Sequence, residues 1–194
     1  MLEDLSHSIL DIAENAVNAE ATKIVIEIAE KLDENKITMT VSDNGKGMDE
    51  DLLSKISDPF VTSRKTRRVG LGIPFLRQAA EGCDGFFEIR SSPGKGTSVM
   101  ASFRTDHIDC PPMGDLAATL ITLLLGWPDK RWIFRYKING RQFELDSDEI
   151  VRVLGDKESL RSCEVATWLK GWIDENLSIL RLGGSDQYAQ DKKS

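Results

Sequence analysis

The segment Asp11-Ile-Ala-Glu-Asn-Ala-Val-Asn-Ala19, followed some way along by Asp43-Asn-Gly-Lys-Gly47, decides the fold of this chain. The first segment lies on a helix predicted over about 2–19, because its apolar residues recur at intervals of three and four. Asp11 and Asn15 therefore lie one turn apart on one face of that helix. The second segment is a glycine-rich turn at the end of a predicted strand. A carboxylate and an amide on one helix, followed by such a turn, are suited to binding Mg-ATP.

The elements around these two segments predict the fold class. Alternating β-branched residues indicate a hairpin from 22–28 and 36–43, and two more strands at 85–91 and 97–104. Helices are expected over 49–56 and from Ile73 to about Glu81, with a loop at 58–72 between them. The order helix, two strands, helix, loop, helix, two strands predicts an α+β protein, an α/β sandwich with helices on one face of its sheet.

The character of the chain changes after Arg104. We expect an ATP-binding domain over 1–105 and a small C-terminal α+β unit over 106–194, with a disordered tail from about 183. This unit should contain a helix over about 113–126, a hairpin turning at Asn139-Gly140, and helices over 148–154 and 159–179. Its aromatic residues, Trp168 and Trp172 among them, either fill a core or form a partner or dimer surface.

Composition excludes several classes of function. Of the 194 residues 40% are apolar and 29% charged, and the net charge is −7, as in an ordinary globular protein. This acidic balance does not suggest binding to nucleic acid or to an anionic membrane, which requires an extended basic surface. No stretch looks like a signal peptide or a membrane span, so we expect a cytoplasmic protein. Its three cysteines are widely spaced and are predicted to be buried thiols of a reducing compartment.

Each chemical requirement of an ATP site has a candidate residue. Asp43 can accept a hydrogen bond from the adenine amine, and Gly45 and Gly47 leave room for the base. Asn15 offers Mg²⁺ a neutral oxygen ligand. Asp11, one turn earlier, can orient or deprotonate the group that attacks the γ-phosphate.

Two further segments suit the phosphates. The run Gly70-Leu71-Gly72 opens a helix, where free backbone N–H groups favour an anion. The loop before it carries Arg64 and Lys65 in a cluster of four cations and is suited to close over the phosphates. His7, one turn before Asp11, allows a proton relay or self-phosphorylation, or else a plain role at the helix surface or behind the site residues.

Five segments together resemble, in order, the sequence boxes of the Bergerat-fold (GHKL) ATPases, which include DNA gyrase, heat-shock chaperones, histidine kinases and MutL. They are the N box at 11–19, the first glycine box at 43–47, Asp58-Pro-Phe-Val-Thr62, Val69-Gly-Leu-Gly-Ile73 and Gly94-Lys-Gly-Thr97. The third and last look most like the catalytic domain of sensor histidine kinases, whereas the approach to the first strand looks closer to MutL. The position of Asp11 is glutamate in gyrase-type ATPases and in anti-sigma-factor serine kinases. The resemblance implies the Bergerat ATP-binding fold, with helices on one face of a mixed sheet.

The resemblance also implies a role for individual residues. Asn15 would coordinate Mg²⁺, Asp43 would contact the adenine amine, and Thr97 would support that contact through water. The expected nucleotide contacts are Asn15, Asn18, Asp43, Gly45, Gly47, Met48, Phe60, Thr62, Arg64, Lys65, Gly70, Leu71, Gly72 and Thr97. Asp11 is the expected catalytic residue. The family's Thr-Thr-Lys appears here as Thr62-Ser63-Arg64, which leaves the phosphate-binding cation open.

Three functions remain open at this point. The first is a cytosolic histidine-kinase-like protein kinase that phosphorylates or regulates a partner protein, since we see no acceptor-histidine domain before the N box. The second is an ATP-hydrolysing conformational switch of the MutL or gyrase type. The third is a regulatory module that binds nucleotide without turnover.

Overall fold

A computed structural model describes residues 4–57 and 72–191, with side chains as far as Leu182. The helices are α1 (Leu5–Asn18), α2 (Glu50–Ser57), α3 (Gly72–Gly82), α4 (Leu116–Gly126), α5 (Ser147–Leu154) and α6 (Cys163–Asp191). The strands are β1 (Lys23–Lys31), β2 (Lys36–Asp43), β3 (Phe86–Ser92), β4 (Gly96–Arg104), β5 (Arg131–Ile138) and β6 (Arg141–Asp146). The predicted order of elements and the α+β class are confirmed.

Capping residues explain where the helices begin. The Asp4 carboxylate accepts a hydrogen bond from the His7 backbone N–H at 2.9 Å and starts α1. The Asp115 carboxylate accepts one from the Ala118 N–H at 2.8 Å and starts α4. That helix begins later than predicted because Gly114 has a positive φ of 77°, which a helix does not accommodate. At the other end of the chain α6 runs past Gly183, the start of the predicted tail.

The described strands form one mixed sheet in the order β3-β4-β2-β1-β5-β6. All neighbours are antiparallel except β1 and β5, which run parallel from Lys23 opposite Arg131 to Glu30 opposite Ile138. The predicted hairpins β1–β2 and β5–β6 are present, and the predicted strands β3 and β4 also pair antiparallel. The last hairpin turns at Asn139-Gly140 with φ values of 44° and 84°. The C-terminal hairpin thus extends the sheet begun by the N-terminal part of the chain.

One face of this sheet carries the core. Alternate residues of β1, such as Ile24, Ile26 and Ile28, are fully buried, while the residues between them are only partly covered. Helices α1, α3 and α6 pack against the sheet, and α4 packs against α1 and α6. A single cluster of buried apolar side chains joins the helices of both parts of the chain to the sheet.

The other face of the sheet is polar where β1, β5 and β6 meet. The Arg135 guanidinium bridges Glu27 on β1, at 3.3 Å, and Glu144 on β6, at 3.1 Å. These side chains are partly exposed, so the pairs orient neighbouring strands and contribute little to stability.

The aromatic side chains of residues 106–194 divide between core and surface. Phe134, Tyr136 and Phe143 are buried, whereas Trp168 on α6 is 58% exposed. Of the three cysteines only Cys83 is buried. Cys110 is half-buried and Cys163 is exposed, so the prediction of three buried thiols is wrong. Within the described ranges no helix is both long and apolar enough to cross a bilayer.

Candidate functional site

Polar side chains form a row across three neighbouring strands at one end of the core face. In the register of β3 and β4, Ser91 lies opposite Thr97, and Asp43 on β2 lies beside Thr97. The Ser91 and Thr97 hydroxyls are hydrogen-bonded at 2.9 Å. The Thr97 backbone N–H donates to the Asp43 carboxylate. The sheet therefore ends in a polar patch below the helices, in which Thr97 lies beside Asp43. The water-mediated role expected of Thr97 stays a prediction.

The glycine turn (Asp43–Gly47) is folded tightly against the rest of the chain. The Gly45 N–H donates to Asp43 Oδ1 at 2.7 Å, and the Lys46 N–H donates to the carbonyl of Ala19 at 2.9 Å. A Cβ on Gly45 would lie 2.6 Å from that same carbonyl, and one on Gly47 would lie 1.9 Å from the carbonyl of Ser92. The glycines are thus required by contacts within the protein, whereas the sequence explained them by room for an adenine.

Asn44 joins the glycine turn to the start of β1. Its Oδ1 accepts hydrogen bonds from the backbone N–H groups of Thr22 and Lys23, both at 2.9 Å, and its Nδ2 donates to Thr22 Oγ1 at 2.9 Å. The Thr22 carbonyl in turn accepts from the Arg131 N–H at 2.9 Å. The Arg131 guanidinium pairs with Asp146, the N-cap of α5, at 2.6 Å. A continuous set of polar contacts therefore runs from the glycine turn to the end of β6.

The carboxyl of Asp43 is perturbed by its surroundings in this patch. Partial burial raises the pKa of its carboxyl above the ordinary value of 3.8. The hydrogen bonds from the Gly45 and Thr97 N–H groups oppose that rise. The result is a half-buried carboxylate with donors on its protein side, suited to accept a further hydrogen bond from a ligand amine.

The predicted polar face of α1 is also present. Asp11 and Asn18 are exposed, and Asn15 between them is half-buried. Asp11 lies against the first residue of α3, since a Cβ on Gly72 would be 2.7 Å from Asp11 Oδ2. The first turn of a helix leaves backbone N–H groups without intrahelical partners, and such groups attract anions. The structure therefore brings the candidate base beside a candidate phosphate-binding position.

His7 belongs to the cap of α1. Its Nδ1 lies 2.8 Å from Asp4 Oδ2, and its side chain is 63% exposed. The same Asp4 carboxylate accepts a hydrogen bond from the Ser6 hydroxyl at 2.7 Å. The structure places His7 in this exposed cap, which matches the plain surface role.

The predicted contacts Phe60, Thr62, Arg64, Lys65, Gly70 and Leu71 lie outside the described residues. Met48 is described, and its N–H donates to the Ser91 hydroxyl at 2.9 Å. Sequence reasoning missed Ser91, which bonds to both Met48 and Thr97. Its only signal was its place before the Pro93-Gly94 turn, in the strand paired with Thr97.

The match to a known family agrees with this geometry. Residues 2–107, more than half of the chain, match the family described as histidine kinase-, DNA gyrase B-, and HSP90-like ATPase. The chain belongs to this family. The ATPase domains of the family bind ATP, and the matched residues include α1, the glycine turn and the start of α3.

Individual relatives match about half of this ATPase-family chain. Sporulation kinase A of Bacillus subtilis (strain 168) is 31% identical over 99 residues, 51% of this chain and 16% of that protein. Sensor protein kinase FleS of Pseudomonas aeruginosa is 33% identical over 95 residues, 49% of this chain and 23% of that protein. The chain therefore spans less than a quarter of the length of either kinase.

The fold is similar to that of a solved ATPase domain. The solved structure of the Aquifex aeolicus MutL ATPase domain complexed with ADP has a TM-score of 0.51 and 14% sequence identity to this chain. The likeness covers 80% of this chain and 70% of that one, a larger share than the family match, so it includes part of the chain after residue 107.

Proposed function

We propose that this protein binds Mg-ATP between α1, the glycine turn and the start of α3, and acts in the cytosol as a histidine-kinase-like kinase. Its phosphoryl acceptor, or the protein that it regulates, would be a separate partner. Family membership supports ATP as the nucleotide. The observation that carries the step beyond binding is the contact of Asp11 with Gly72.

Asp43 would select the base. Its half-buried carboxylate is held by the N–H groups of Gly45 and Thr97 and has acceptor capacity left for the adenine amine. A hydrogen bond to a carboxylate in such a partly desolvated position contributes about 1.5–3 kcal/mol. The Thr97 hydroxyl is hydrogen-bonded to Ser91 at 2.9 Å and keeps a lone pair that would accept a hydrogen bond from a bridging water molecule.

Asn15 would hold the metal and Gly72 the phosphates. Asn15 is half-buried one turn after Asp11, and its amide oxygen is a neutral ligand of the kind that Mg²⁺ accepts. When bound, Mg²⁺ neutralises phosphate charge as the γ-phosphoryl group is transferred. The absence of a side chain at Gly72 lets the backbone N–H groups of α3 and the Asp11 carboxylate lie side by side.

Asp11 would act on the attacking group. A carboxylate beside the γ-phosphate accepts the proton of a hydroxyl or water, or orients a nucleophile toward phosphorus. Pure nucleotide binding does not need it there, because a second negative charge next to the phosphates weakens binding. We therefore favour a protein that turns ATP over.

An ATP-hydrolysing switch is the second candidate, and the exposure of Asp11 favours it. An exposed carboxylate is open to water, so hydrolysis without an acceptor is chemically feasible at the same site. The continuous sheet would then connect the nucleotide site to the C-terminal hairpin.

The site assignment is tested by titrating the purified chain with Mg-ATP in a calorimeter. We expect Asn15→Ala to weaken binding at least tenfold, and Gln78→Ala, which removes an exposed helical amide from α3, to bind as the parent does. Equal binding by parent and Asn15→Ala would show that the metal is held elsewhere.

A second experiment distinguishes the functions. The chain is incubated with γ-labelled ATP alone and with extract, alongside Asp11→Asn and the exposed control Asp51→Asn. Label on a protein supports the kinase, and free phosphate alone supports the switch. If ATP binds but neither product forms, the result supports a module that binds nucleotide without turnover. Asp11→Asn should bind ATP and lose turnover, whereas Asp51→Asn should retain both.

A further inference from the structure

An apolar groove of about 540 Å³ lies between α5, α6 and the end of β6, on residues that the ATP site does not use. Its apolar lining includes Ile150, Val153, Val165, Trp168 and Trp172. Val153 is 85% exposed and Trp168 58% exposed, although both are large apolar side chains. An exposed apolar surface of this kind commonly marks a binding site.

The floor of the groove is anchored to the core. The Trp168 and Trp172 rings are stacked with centroids 6.3 Å apart and planes 13° apart. Trp172 also packs edge-on against Phe143 of β6 at 5.2 Å. Because Trp172 is fixed from below, Trp168 is presented as a flat apolar surface that needs little ordering when a partner binds. Tryptophans in such positions often dominate binding energy.

The rim of the groove is acidic. Four carboxylates line it, from Glu144, Asp146, Glu149 and Glu164. Glu144 and Asp146 are paired with Arg135 and Arg131. Glu149 and Glu164 form no ion pair with any residue in the described part of the chain. The groove therefore presents an apolar strip beside four carboxylates, two of which have no ion-pair partner within 4.0 Å among the described residues.

We propose that this groove binds an amphipathic helix of a partner protein, with bulky apolar residues on one face and lysine or arginine beside them. A groove between two helices accepts a third helix through residues spaced at i, i+3, i+4 and i+7. The acidic rim selects positive flanks and disfavours a second copy of this chain, because two such rims would face each other in an acidic protein. The proposal is independent of the nucleotide site.

The test uses the full chain and a dye-labelled synthetic peptide of 18 residues, with leucines on one helical face and lysines flanking them. Binding is followed by fluorescence anisotropy at low and high salt. One control peptide has the same composition with the leucines spread around the helix, and another has glutamate in place of every lysine. We expect the first peptide alone to bind, and its binding to weaken as salt rises.

Two variants test whether the peptide binds in the groove. Trp168→Ala and the double variant Glu149→Lys/Glu164→Lys should each weaken binding at least about tenfold. The control Glu20→Lys/Glu175→Lys makes the same change of net charge at exposed positions outside the groove and should bind as the parent does. Circular dichroism melting curves show whether each variant is folded.

Several outcomes overturn the proposal. Equal weakening by the control pair, or equal binding of the rearranged peptide, means non-specific attraction to an acidic protein. Binding of the glutamate peptide means that the rim does not select charge. If Trp168→Ala reduces the fluorescence of the neutral dye Nile red while no peptide binds, the groove takes small apolar ligands instead.

Discussion

The carboxylate of Asp11 and the first residue of α3, Gly72, lie so close that a single added methyl group would not fit between them. A Cβ on Gly72 would stand 2.7 Å from Asp11 Oδ2 and 2.9 Å from Asp11 Cβ. The two residues come from segments some sixty positions apart in sequence, and their contact closes the space between α1 and α3.

Gly72→Ala should therefore disturb turnover more than folding. The new methyl group displaces the Asp11 carboxylate, and a small displacement of a catalytic group lowers the rate by about a hundredfold in unfavourable cases. The measurement is the rate of phosphate release or protein labelling at saturating ATP.

Gly82→Ala is the matched control for that variant. Gly82 ends the same helix, and a Cβ there meets nothing within 4 Å. We expect parental turnover and stability that is unchanged or higher by about 0.4–1 kcal/mol. If Gly72→Ala also turns ATP over at the parental rate, Asp11 does not take part in the reaction.

Asp43→Asn should separate nucleotide binding from stability. Burial raises the pKa of Asp43 in the folded protein, so the folded state keeps this proton to a higher pH than the unfolded state. The ionised carboxylate therefore destabilises the folded protein as pH rises through the interval between the two pKa values. Asparagine at this position does not ionise, so the folded state of Asp43→Asn is not destabilised in this way as pH rises.

We expect the apo form of Asp43→Asn to melt at a higher temperature than the parent near pH 7. The difference should vanish as pH falls below the ordinary carboxyl value of 3.8. Loss of a charge-assisted hydrogen bond should weaken ATP binding by about 10- to 100-fold. A lower melting temperature near pH 7 would contradict the raised pKa.

Gly47→Ala and Gly94→Ala should differ in stability although both glycines have positive φ, 66° and 72°. A Cβ on Gly94 meets nothing within 4 Å, so only backbone strain of about 1–2 kcal/mol is expected. At Gly47 the Cβ would lie 1.9 Å from the Ser92 carbonyl, and the loss should be on the order of 4 kcal/mol or more. Urea unfolding measures both, and similar losses would show that the glycine turn is loosely packed.

Truncation tests the proposed division of the chain near residue 105. A fragment of residues 1–107 lacks β5, which pairs with β1 along eight residues, and α4, which covers α1. An uncovered strand edge promotes association. We therefore expect a fragment that aggregates or melts lower than the full chain, as judged by light scattering and calorimetry. A monomeric fragment of parental stability would mean that the N-terminal part folds without the rest.

Local signals predicted most elements because each depends on neighbouring residues. The alternation in 36–43 predicted β2 with its observed bounds, and Asn139-Gly140 predicted the last hairpin. The glycines and Asp43 were recognised because five short segments follow a family's order. These are contacts and turns that a few residues specify by themselves.

Other features depend on residues far apart and could not be inferred locally. The parallel pairing of β1 with β5 joins positions more than a hundred apart, and the sequence of neither strand indicates which strand it pairs with. The contact between Asp11 and Gly72, and the use of Gly45 to admit the Ala19 carbonyl, likewise arise from packing. The sequence did not decide whether Trp168 and Trp172 lie in a core or on a surface, because their spacing fits both.

Thr22 gives the molecule a junction between its two candidate binding surfaces. Its backbone N–H and hydroxyl bond to Asn44 in the glycine turn, and its carbonyl bonds to Arg131, whose guanidinium holds the N-cap of α5. Any thermodynamic communication along this junction is symmetrical. If nucleotide changes the affinity of the groove for a helix by some factor, the helix must change the affinity for nucleotide by the same factor.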